Sequence, residues 1–570
     1  MSLFSRRINR FLTARSCTKV GWESDVAILS PDNRVFDRLF WYQSGWESTK
    51  SHGRRPGPQA WLLALTVTLL FCARAHPQTT LASLTANNTS ACPTSSPLPA
   101  HCQKPFSGHV DTRPQVATPQ FDQPASNVSD EDPHAYLNHG ADTKIFALMM
   151  AGFCTNSETP YCHNNVQTGY TANDAATVAA QAEDMKRRHL DGVIINWEGA
   201  GTSDDAAALK MQAYLDAHHC SGPQQCDLMY FIMIDGPSTG YHVTSTGIPG
   251  TTGTSCSGRK GGSYEDCVVA HLRNDMCYMN GHHWGNDAYQ KVNGHPIVLV
   301  FPDDQSIPTT GPAPSWTDVW IHVNEWNQYL PTNCAKAPYN ADNGTPLIIF
   351  ENTVGFTHAA SSGSYYWLKP QGTDPARDQA STNIAGPSDA GTLDHFYQAA
   401  LKYPNQLVWG GAFKGFDSFL STWGTNRIMD QKCGQTWLAS LTESNKFYTT
   451  TPLPFLQIAT WNDYNEGTEI ESGIDNCYTV SAHIDSNNLV WNLDPTNSTY
   501  ASISTVSHIE IYDSRNGKDL TLAATLPASA TGTYPLDSLA PGKHQLFVRM
   551  VGKNSILNRI SPAVSFKQKK

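Results

Sequence analysis

The sequence predicts an α/β protein, with a (β/α)8 barrel of the TIM type followed by a small C-terminal antiparallel β-sandwich domain. Strand-like apolar runs alternate with helical patterns along the middle of the chain, and these runs are apolar almost throughout. Alternating strands and helices indicate a parallel sheet, and continuously apolar strands indicate burial on both faces. After about residue 500, short alternating runs divided by Gly and Pro turns predict the sandwich.

Seven barrel strands are predicted in chain order within residues 143–498, the expected bounds of the barrel domain. They are expected at 145–150, 193–196, 228–234, 296–301, 347–350, 407–413 and 455–460. Helices are expected between them, the first beginning after an Asn173 cap. For the eighth strand the pattern offers one candidate, residues 478–484. A doubly wound open sheet is the alternative, but no glycine-rich phosphate-binding turn follows any strand.

Three further segments are predicted on either side of the barrel. Residues 1–75 are an N-terminal extension that ends in a signal peptide, with an apolar region at 60–73 and cleavage after Ala75. A short type II membrane anchor is the alternative, although the apolar run is shorter than the roughly 20 residues that span a bilayer. Residues 76–142 are rich in Thr, Ser and Pro, which predicts a flexible linker. Residues 499–570 are the predicted sandwich, expected to pack on the barrel.

The composition argues against nucleic acid and indicates export. The formal net charge is −11, whereas phosphate binding requires a basic surface. The closely spaced pairs Cys154/Cys162 and Cys220/Cys226 are expected to form disulfides within loops. Glycosylation sequons occur at Asn87, Asn88, Asn127, Asn343 and Asn497. We expect a secreted, monomeric glycoprotein, extracellular or in the cell wall, without stable membrane association after signal cleavage.

Polar residues, most of them acidic, follow six of the predicted strands at the point where each strand ends. In a barrel, the carboxyl ends of the strands converge on one mouth, where active sites lie. One acidic strand end is weak evidence, because polar residues also appear wherever a chain reaches water, but a series of them is stronger. The candidate substrate-binding residues at these ends are Trp197, Glu198, Asp235, Glu351 and Asp417, and further ends carry Asp303, Asp304 and Lys414.

The most informative stretch is Trp461-Asn462-Asp463-Tyr464-Asn465-Glu466-Gly467-Thr468-Glu469, directly after the seventh strand. It places two carboxylates, Asp463 and Glu466, three residues apart. Close carboxylates disfavour joint ionisation, so one of them is expected to hold its proton near neutral pH. Glycosidic bond cleavage needs one acid that protonates the leaving oxygen and a second carboxylate that stays ionised. The residues predicted to shape the sugar site are Trp461, Asn462, Tyr464 and Asn465.

Other interpretations of this acidic turn are weaker. A calcium loop would supply more oxygen ligands in a recognisable series. A solvated, acid-rich turn is seldom flanked by tryptophan and amide side chains. No metal or cofactor is predicted, because His282-His283 has no further ligands at metal-binding spacing. Nucleophilic serine chemistry has no support, since no Gly-x-Ser-x-Gly turn occurs.

The acidic turn resembles two families of glycoside hydrolases. The string Trp461-Asn462-Asp463-Tyr464-x-Glu466 is similar to Trp-Asn-Asp-Tyr-Gly-Glu-Ser of family 71, the α-1,3-glucanases or mutanases, and departs from it after Tyr464. The run from Glu466 to Glu471 resembles the end of Asn-Glu-Trp-His-Glu-Gly-Thr-Gln-Ile-Glu of family 99, the endo-α-mannosidases and mannanases. Both resemblances imply a (β/α)8 barrel, an α-linked substrate, and Asp463 and Glu466 as the catalytic acids.

We therefore expect a glycoside hydrolase that cleaves an α-linked polysaccharide, with endo-α-1,3-glucan as the preferred substrate. An endo-acting α-mannanase or α-mannosidase on the same fold is the alternative, and a non-catalytic carbohydrate-binding wall protein is a third. Glu466 is expected to be the general acid. Asp463 would be its partner, either a base for water or a group that acts through a substrate hydroxyl. The sequence leaves open the linkage and whether the anomeric configuration is retained.

Overall fold

The computed structural model describes residues 127–152, 170–235, 275–301, 344–357, 361–368, 392–418, 427–495, 498–517 and 519–569. The chain divides into two units, Met1–His76 and Pro77–Lys570, and all described residues belong to the second. The predicted signal peptide, most of the predicted linker, the Cys154/Cys162 pair and Asp303-Asp304 lie outside these ranges. Within them, no helix is long and apolar enough to cross a membrane.

Within the described residues, eight parallel strands close into a barrel, which confirms the predicted fold class. The eight strands are β1 (Lys144–Met149), β2 (Gly192–Trp197), β3 (Met229–Asp235), β5 (His295–Phe301), β6 (Leu347–Glu351), β7 (Gly363–Tyr365), β8 (Leu407–Ala412) and β11 (Phe455–Ile458). Strands β1 and β11 pair with each other, and β3 pairs with β5, so the ring has no free edge. Short antiparallel strands accompany them at β4 (Lys291–Val292), β9 (Phe416–Asp417) and β10 (Ile428–Met429).

The sequence-based candidate for the eighth barrel strand, residues 478–484, is wrong. The strand that completes the ring is β7, Gly363–Tyr365, which pairs with β6 and β8. Its three residues include glycine and serine, so no apolar run marks it. Glycine is required at its start, because a Cβ on Gly363 would lie 2.2 Å from the carbonyl oxygen of Leu407.

Helices lie between the barrel strands, and aromatic residues fill the interior. Among the described residues they are Ala175–Arg187, Ser203–His218, 275–282, Asn352–Gly355, Leu393–Ala400 and Gln435–Thr442, with 3₁₀ turns at Lys432–Gly434 and Glu443–Lys446. Asp174, rather than the predicted Asn173, caps the first helix. Inside the barrel, the ring of Trp409 stacks on Phe455 at 3.9 Å, and Phe231 contacts Trp409 and Phe146. The packed interior leaves the mouth as the place for a ligand.

Two antiparallel sheets form the C-terminal region and share one hydrophobic core, as the sandwich prediction requires. One sheet contains β12 (Thr479–Asp485), β13 (Asn488–Asp494) and β16 (Thr531–Pro535). The other contains β14 (Val506–Ser514), β15 (Thr521–Pro527), β17 (Gly542–Gly552), β18 (Arg559–Ile560) and β19 (Val564–Gln568), and the 3₁₀ turn Ile503–Thr505 precedes it. The predicted boundary at residue 499 is too late, because the hairpin β12–β13 pairs with β16 rather than with the barrel.

The part of the predicted flexible linker that the structure describes, residues 127–142, is ordered. It contains 3₁₀ turns at Pro133–Tyr136 and Gly140–Asp142, and Val128 forms a β-bridge with Leu557. The Ser129 N–H donates to the Ile556 carbonyl at 3.0 Å. Asn127 is buried, so its sequon does not present an acceptor on the surface. Polar composition predicted a linker here, but pairing with a distant segment supplies the order.

The disulfide Cys433–Cys477 encloses the stretch that carries the acidic turn. Its cysteines are 44 residues apart in sequence, whereas those of the confirmed pair Cys220–Cys226 are 6 apart. In the chain-entropy account, the longer loop stabilises the fold by about 4 kcal/mol and the shorter by about 2 kcal/mol. We expect Cys433→Ser/Cys477→Ser to lower the midpoint of thermal unfolding more than Cys220→Ser/Cys226→Ser does. Equal effects of the two variants would contradict this ranking.

Candidate active site

The acidic loop, residues 461–471, follows β11 and is fastened to the end of β1. The Trp461 N–H donates to the Leu148 carbonyl at 2.7 Å. The Asn462 side chain accepts from the Met150 N–H at 2.7 Å and donates to the Met150 carbonyl at 3.0 Å. The end of β1 thus holds the loop that follows β11, and Asn462 contributes two hydrogen bonds to the backbone of Met150.

A tight turn inside the acidic loop holds the two predicted catalytic residues. The Thr460 hydroxyl accepts from the Asp463 N–H at 2.9 Å and bonds the Thr468 hydroxyl at 2.8 Å. The Asp463 Oδ1 accepts from the Glu466 N–H at 3.0 Å. Gly467 has φ +59°, a left-handed conformation that glycine adopts without strain. Asp463 and Glu466 are therefore presented from one rigid turn at the carboxyl end of a barrel strand.

Asp463 and Glu466 differ in burial, and burial acts on the pKa of Asp463. Asp463 is 4% exposed and Glu466 is half-buried. Burial raises the pKa of Asp463 well above its ordinary value, and the charges of Glu466 and then Glu469 raise it further. The hydrogen bond from the Glu466 N–H opposes this rise. Burial and the two neighbouring carboxylates thus favour the protonated form of Asp463, and the expected sharing of one proton within the pair stays a prediction.

Residues that follow β8 close the other side of the turn. The Asp417 N–H donates to the Glu466 carbonyl at 2.7 Å, and Asp417 is itself 5% exposed. Lys414 forms an ion pair with Glu469 of the acidic loop, with Nζ 2.7 Å from Oε1. The structure thus brings two sequence-predicted strand-end residues to Asp463 and Glu466, and it adds Glu469, to which the sequence reasoning gave no role.

A network of hydrogen bonds between buried side chains supports the acidic loop. The hydroxyl groups of Tyr170 and Tyr464 both donate to Glu471 Oε2, at 2.7 and 3.0 Å. Trp461 is fully buried, and Tyr464 and Asn465 are each 2% exposed. In the free protein these residues therefore shape the site by supporting the loop. Their predicted contact with a sugar ring stays a prediction.

Arg188 is the residue of this network that the sequence reasoning missed. It directly follows the helix Ala175–Arg187, is fully buried, and lies 4.8 Å from the centre of the Trp461 ring. Its guanidinium group donates to the carbonyls of Ile470 and Glu471 and to the Asp184 carboxylate. No local signal distinguishes it, because the run Lys186-Arg187-Arg188 is typical of a solvated helix end.

Glu471 gives this network a pH-dependent effect on stability. Burial raises its pKa from 4.5 to about 8, against the two tyrosine hydrogen bonds. The folded protein then binds this proton more tightly than the unfolded chain does, so stability falls as the pH rises between about 4.5 and 8.

We expect Glu471→Gln to remove most of this fall, an effect of up to about 5 kcal/mol. The measurement is the free energy of unfolding by urea at about pH 5 and at about pH 8.5. The matched control is Glu183→Gln, because Glu183 is an exposed carboxylate that also accepts from a tyrosine hydroxyl, that of Tyr214. The same pH dependence in Glu471→Gln and the wild type would refute the prediction.

A second group of carboxyls lies at the ends of β2 and β3. The charges of Glu198 and Asp235 act on Asp204, a buried residue of the helix Ser203–His218 that the sequence reasoning did not select. Burial, followed by these two charges, raises the pKa of Asp204 well above its ordinary value. The Asn196 amide also donates to Asp235 at 2.9 Å. Glu198 and Asp235 thus both act on Asp204, at the ends of β2 and β3, and β2 is a neighbour of β1 in the barrel.

The remaining residues singled out in the sequence, Trp197, Glu351 and His283, have different surroundings. Trp197 is fully buried and its indole donates to Asp205 at 3.1 Å, so it packs toward the helix layer. Glu351, at the end of β6, is 4% exposed and accepts from the Asn352 amide. His283 is a buried partner of Asp205. In the described part of the chain, no group of three or more metal-binding side chains occurs, and the expectation of no metal stays a prediction.

Comparisons with known proteins give structural likeness only. No protein-family model and no curated protein matches the chain. A family GH99 endo-α-mannosidase from Bacteroides thetaiotaomicron, solved with bis-tris-propane, is 11% identical, with 58% of this chain and 87% of that chain covered and a TM-score of 0.36. A glycoside hydrolase-like protein is 12% identical over 59% and 88%, with a TM-score of 0.37. The endo-β-1,4-mannanase from Thermotoga petrophila is 9% identical over 76% and 100%, with a TM-score of 0.28. At these TM-scores, the likenesses do not bear on substrate or mechanism.

Proposed function

We propose that this protein is a glycoside hydrolase that cleaves an α-linked polysaccharide with Asp463 and Glu466. The observation that carries the proposal is the placement of both acids on one rigid turn at the carboxyl end of a barrel strand. Asp463 is buried and this burial raises its pKa, whereas Glu466 is half-buried and partly exposed to solvent. Two neighbouring carboxyls, one carrying a proton and the other ionised, are the arrangement that glycosidic acid-base chemistry uses.

The proposed reaction passes one proton through the pair. Glu466 donates its proton to the leaving glycosidic oxygen as the bond from that oxygen to the anomeric carbon breaks. In the direct route, water attacks the anomeric carbon and releases its proton to Asp463, and transfer of that proton back to Glu466 prepares the next cycle. In the other route, a neighbouring substrate hydroxyl attacks first and releases its proton to Asp463; water then opens the anhydro sugar, as Asp463 returns its proton to the sugar oxygen and Glu466 takes one from water. In either route the activity should have a bell-shaped pH dependence that belongs to the pair.

The preferred substrate is α-1,3-glucan, because the first half of the motif around Asp463 resembles that of the α-1,3-glucanases. The second half, from Glu466, favours an α-mannan as the other candidate. The test is release of reducing sugar from insoluble α-1,3-glucan and from α-mannan, each with wild-type protein and Glu466→Gln. Release from one polymer that Glu466→Gln abolishes supports the proposal and identifies the sugar. Binding to a polymer without any release would instead indicate a carbohydrate-binding protein.

We also propose that the protein is secreted, on the strength of the apolar run at 60–73 and the Ala73-Arg74-Ala75 sequence. The first residue of the protein recovered from the medium tests this. A sequence beginning at His76 is expected. A membrane-bound chain that retains residues 60–73 would indicate the type II anchor.

A further inference from the structure

A buried ion pair lies directly beside the predicted catalytic residues. Lys414, two residues beyond the end of β8, places its Nζ 2.7 Å from Oε1 of Glu469 in the acidic loop. Both side chains are out of contact with solvent, at 0% and 3% exposure. The pair joins the chain after β8 to the loop after β11, and these two strands are neighbours in the barrel. It therefore links the two segments that enclose Asp463 and Glu466.

Stability alone is a weak reason for such a pair. Taking two charges out of water costs several kcal/mol, and a neutral, well-packed pair of similar size is often at least as stable. A buried pair does, however, place fixed charges where water does not screen them, so they act strongly on nearby titratable groups. The position of the pair then decides what it acts on.

Glu469 is placed to act on the predicted catalytic pair. It follows Asp463 and Glu466 at the same spacing of three residues, and the hydrogen bond between Thr460 and Thr468 fixes the turn between them. The negative charge of Glu469, like that of Glu466, raises the pKa of Asp463. The positive charge of Lys414 lies beside Glu469 and reduces the effect of the Glu469 charge on the pKa of Asp463.

We propose that the Lys414–Glu469 ion pair is a positioning element of the active site, which sets the electrostatic potential that distributes the proton between Asp463 and Glu466. The inference rests on the proposed function for its catalytic meaning, although the electrostatic effect itself can be measured without substrate. Neither residue touches the reacting atoms in this account, so both act through Asp463. The family 99 motif that the loop resembles has glutamine at the position of Glu469, so this chain carries an additional charge there and a lysine that balances it.

The test is a direct titration of the Asp463 carboxyl. Aspartate labelled with ¹³C at the carboxyl carbon is followed by NMR against pH, and the Asp463 signal is assigned by its loss in Asp463→Asn. We expect Glu469→Gln to lower the Asp463 midpoint by about one pH unit, since a negative charge is removed while the positive charge of Lys414 remains. Lys414→Met should raise the midpoint, because Glu469 loses its balancing charge. Shifts of opposite sign from two partners are a result that a merely structural role would not give.

A third variant guards against single variants that fail to fold. Lys414→Met/Glu469→Gln removes both charges and is expected to fold, because neutral replacement of a buried pair is tolerated. Its midpoint should lie between those of the single variants and below that of the wild type. An Asp463 midpoint that stays at the wild-type value in this double variant, or in folded Glu469→Gln, would overturn the proposal.

The matched control is Lys446→Met, since Lys446 pairs with Glu443 at the same 2.7 Å but is 62% exposed. It should leave the Asp463 midpoint unchanged, and a comparable shift there would also count against a specific role for Lys414. If the wild type is active on a polymer, the basic limb of its kcat/KM profile should move with the Asp463 midpoint in each variant. If the wild type cleaves none of the polymers, the proposed function fails, whereas the titration still decides whether the ion pair controls Asp463.

Discussion

Glu466→Gln is expected to lower kcat on the preferred polymer by about 10²- to 10⁴-fold, the range for loss of a general acid. Glutamine keeps the size of the side chain and cannot donate a proton to the leaving oxygen. Glu466 joins the turn through its backbone, because its N–H donates to Asp463 and its carbonyl accepts from Asp417. The substitution should therefore leave the turn, and the midpoint of thermal unfolding, unchanged.

The measurement is the initial rate of reducing-sugar release at saturating polymer, with thermal unfolding recorded on the same samples. Glu183→Gln is the matched control, because Glu183 is exposed on the helix Ala175–Arg187 and has no part in the acidic loop. The control should retain wild-type activity. Wild-type kcat in Glu466→Gln would remove Glu466 from the reaction, whereas a large fall in its unfolding midpoint would show a structural role instead.

Arg188→Met is expected to destabilise the protein by about 3–5 kcal/mol, the range for one partner removed from a buried ion pair. The guanidinium group donates to the Ile470 and Glu471 carbonyls and to Asp184 inside the protein. Methionine fills much of the same volume but donates no hydrogen bond, so these buried acceptors lose their donor. The carboxyl end of the acidic loop would then be held less firmly, and activity should fall together with stability.

The neighbouring Arg187 supplies the control for this substitution. Arg187 pairs with the same Asp184, but its side chain is 22% exposed and it is the last residue of the helix. Arg187→Met should therefore cost no more than about 1 kcal/mol. The free energy of unfolding in urea at neutral pH compares the two variants. Equal losses would mean that burial of the Arg188 cation beneath the loop contributes nothing beyond its pairing with Asp184.

Much of the barrel could be predicted because its signals are local. The run 455–460 is apolar at four of its six positions, which favours a strand buried on both faces, and it contains β11. Strand β7 escaped prediction because three residues containing Gly363 and Ser364 carry no such signal, and only pairing with β6 and β8 makes them a strand. Residues 127–142 escaped for the same reason, since the partners of Val128 and Ser129 lie in the C-terminal segment.

In the candidate site too, some features could be predicted from the sequence and others could not. The closeness of Asp463 and Glu466 could be predicted, because three residues of separation on a turn bring two carboxyls together whatever surrounds them. The raised pKa of Asp463 could not, because it depends on how deeply that side chain is buried. The contacts of Asn462 with Met150 depend on the pairing of β1 with β11, and the residues next to Asn462 in sequence do not reveal that pairing.

By itself, the sequence determined the parallel barrel, the antiparallel region that follows it, and the carboxylate pair at the end of the last barrel strand. Each of these depends on residues that are neighbours in the chain. Only the tertiary structure decided which residues support that pair. Arg188 reaches Ile470 across 282 residues of chain, and Lys414 meets Glu469 only because β8 and β11 are adjacent in the closed barrel. Burial and ion pairing between distant segments arise from closure of the barrel, and no local pattern of residues contains them.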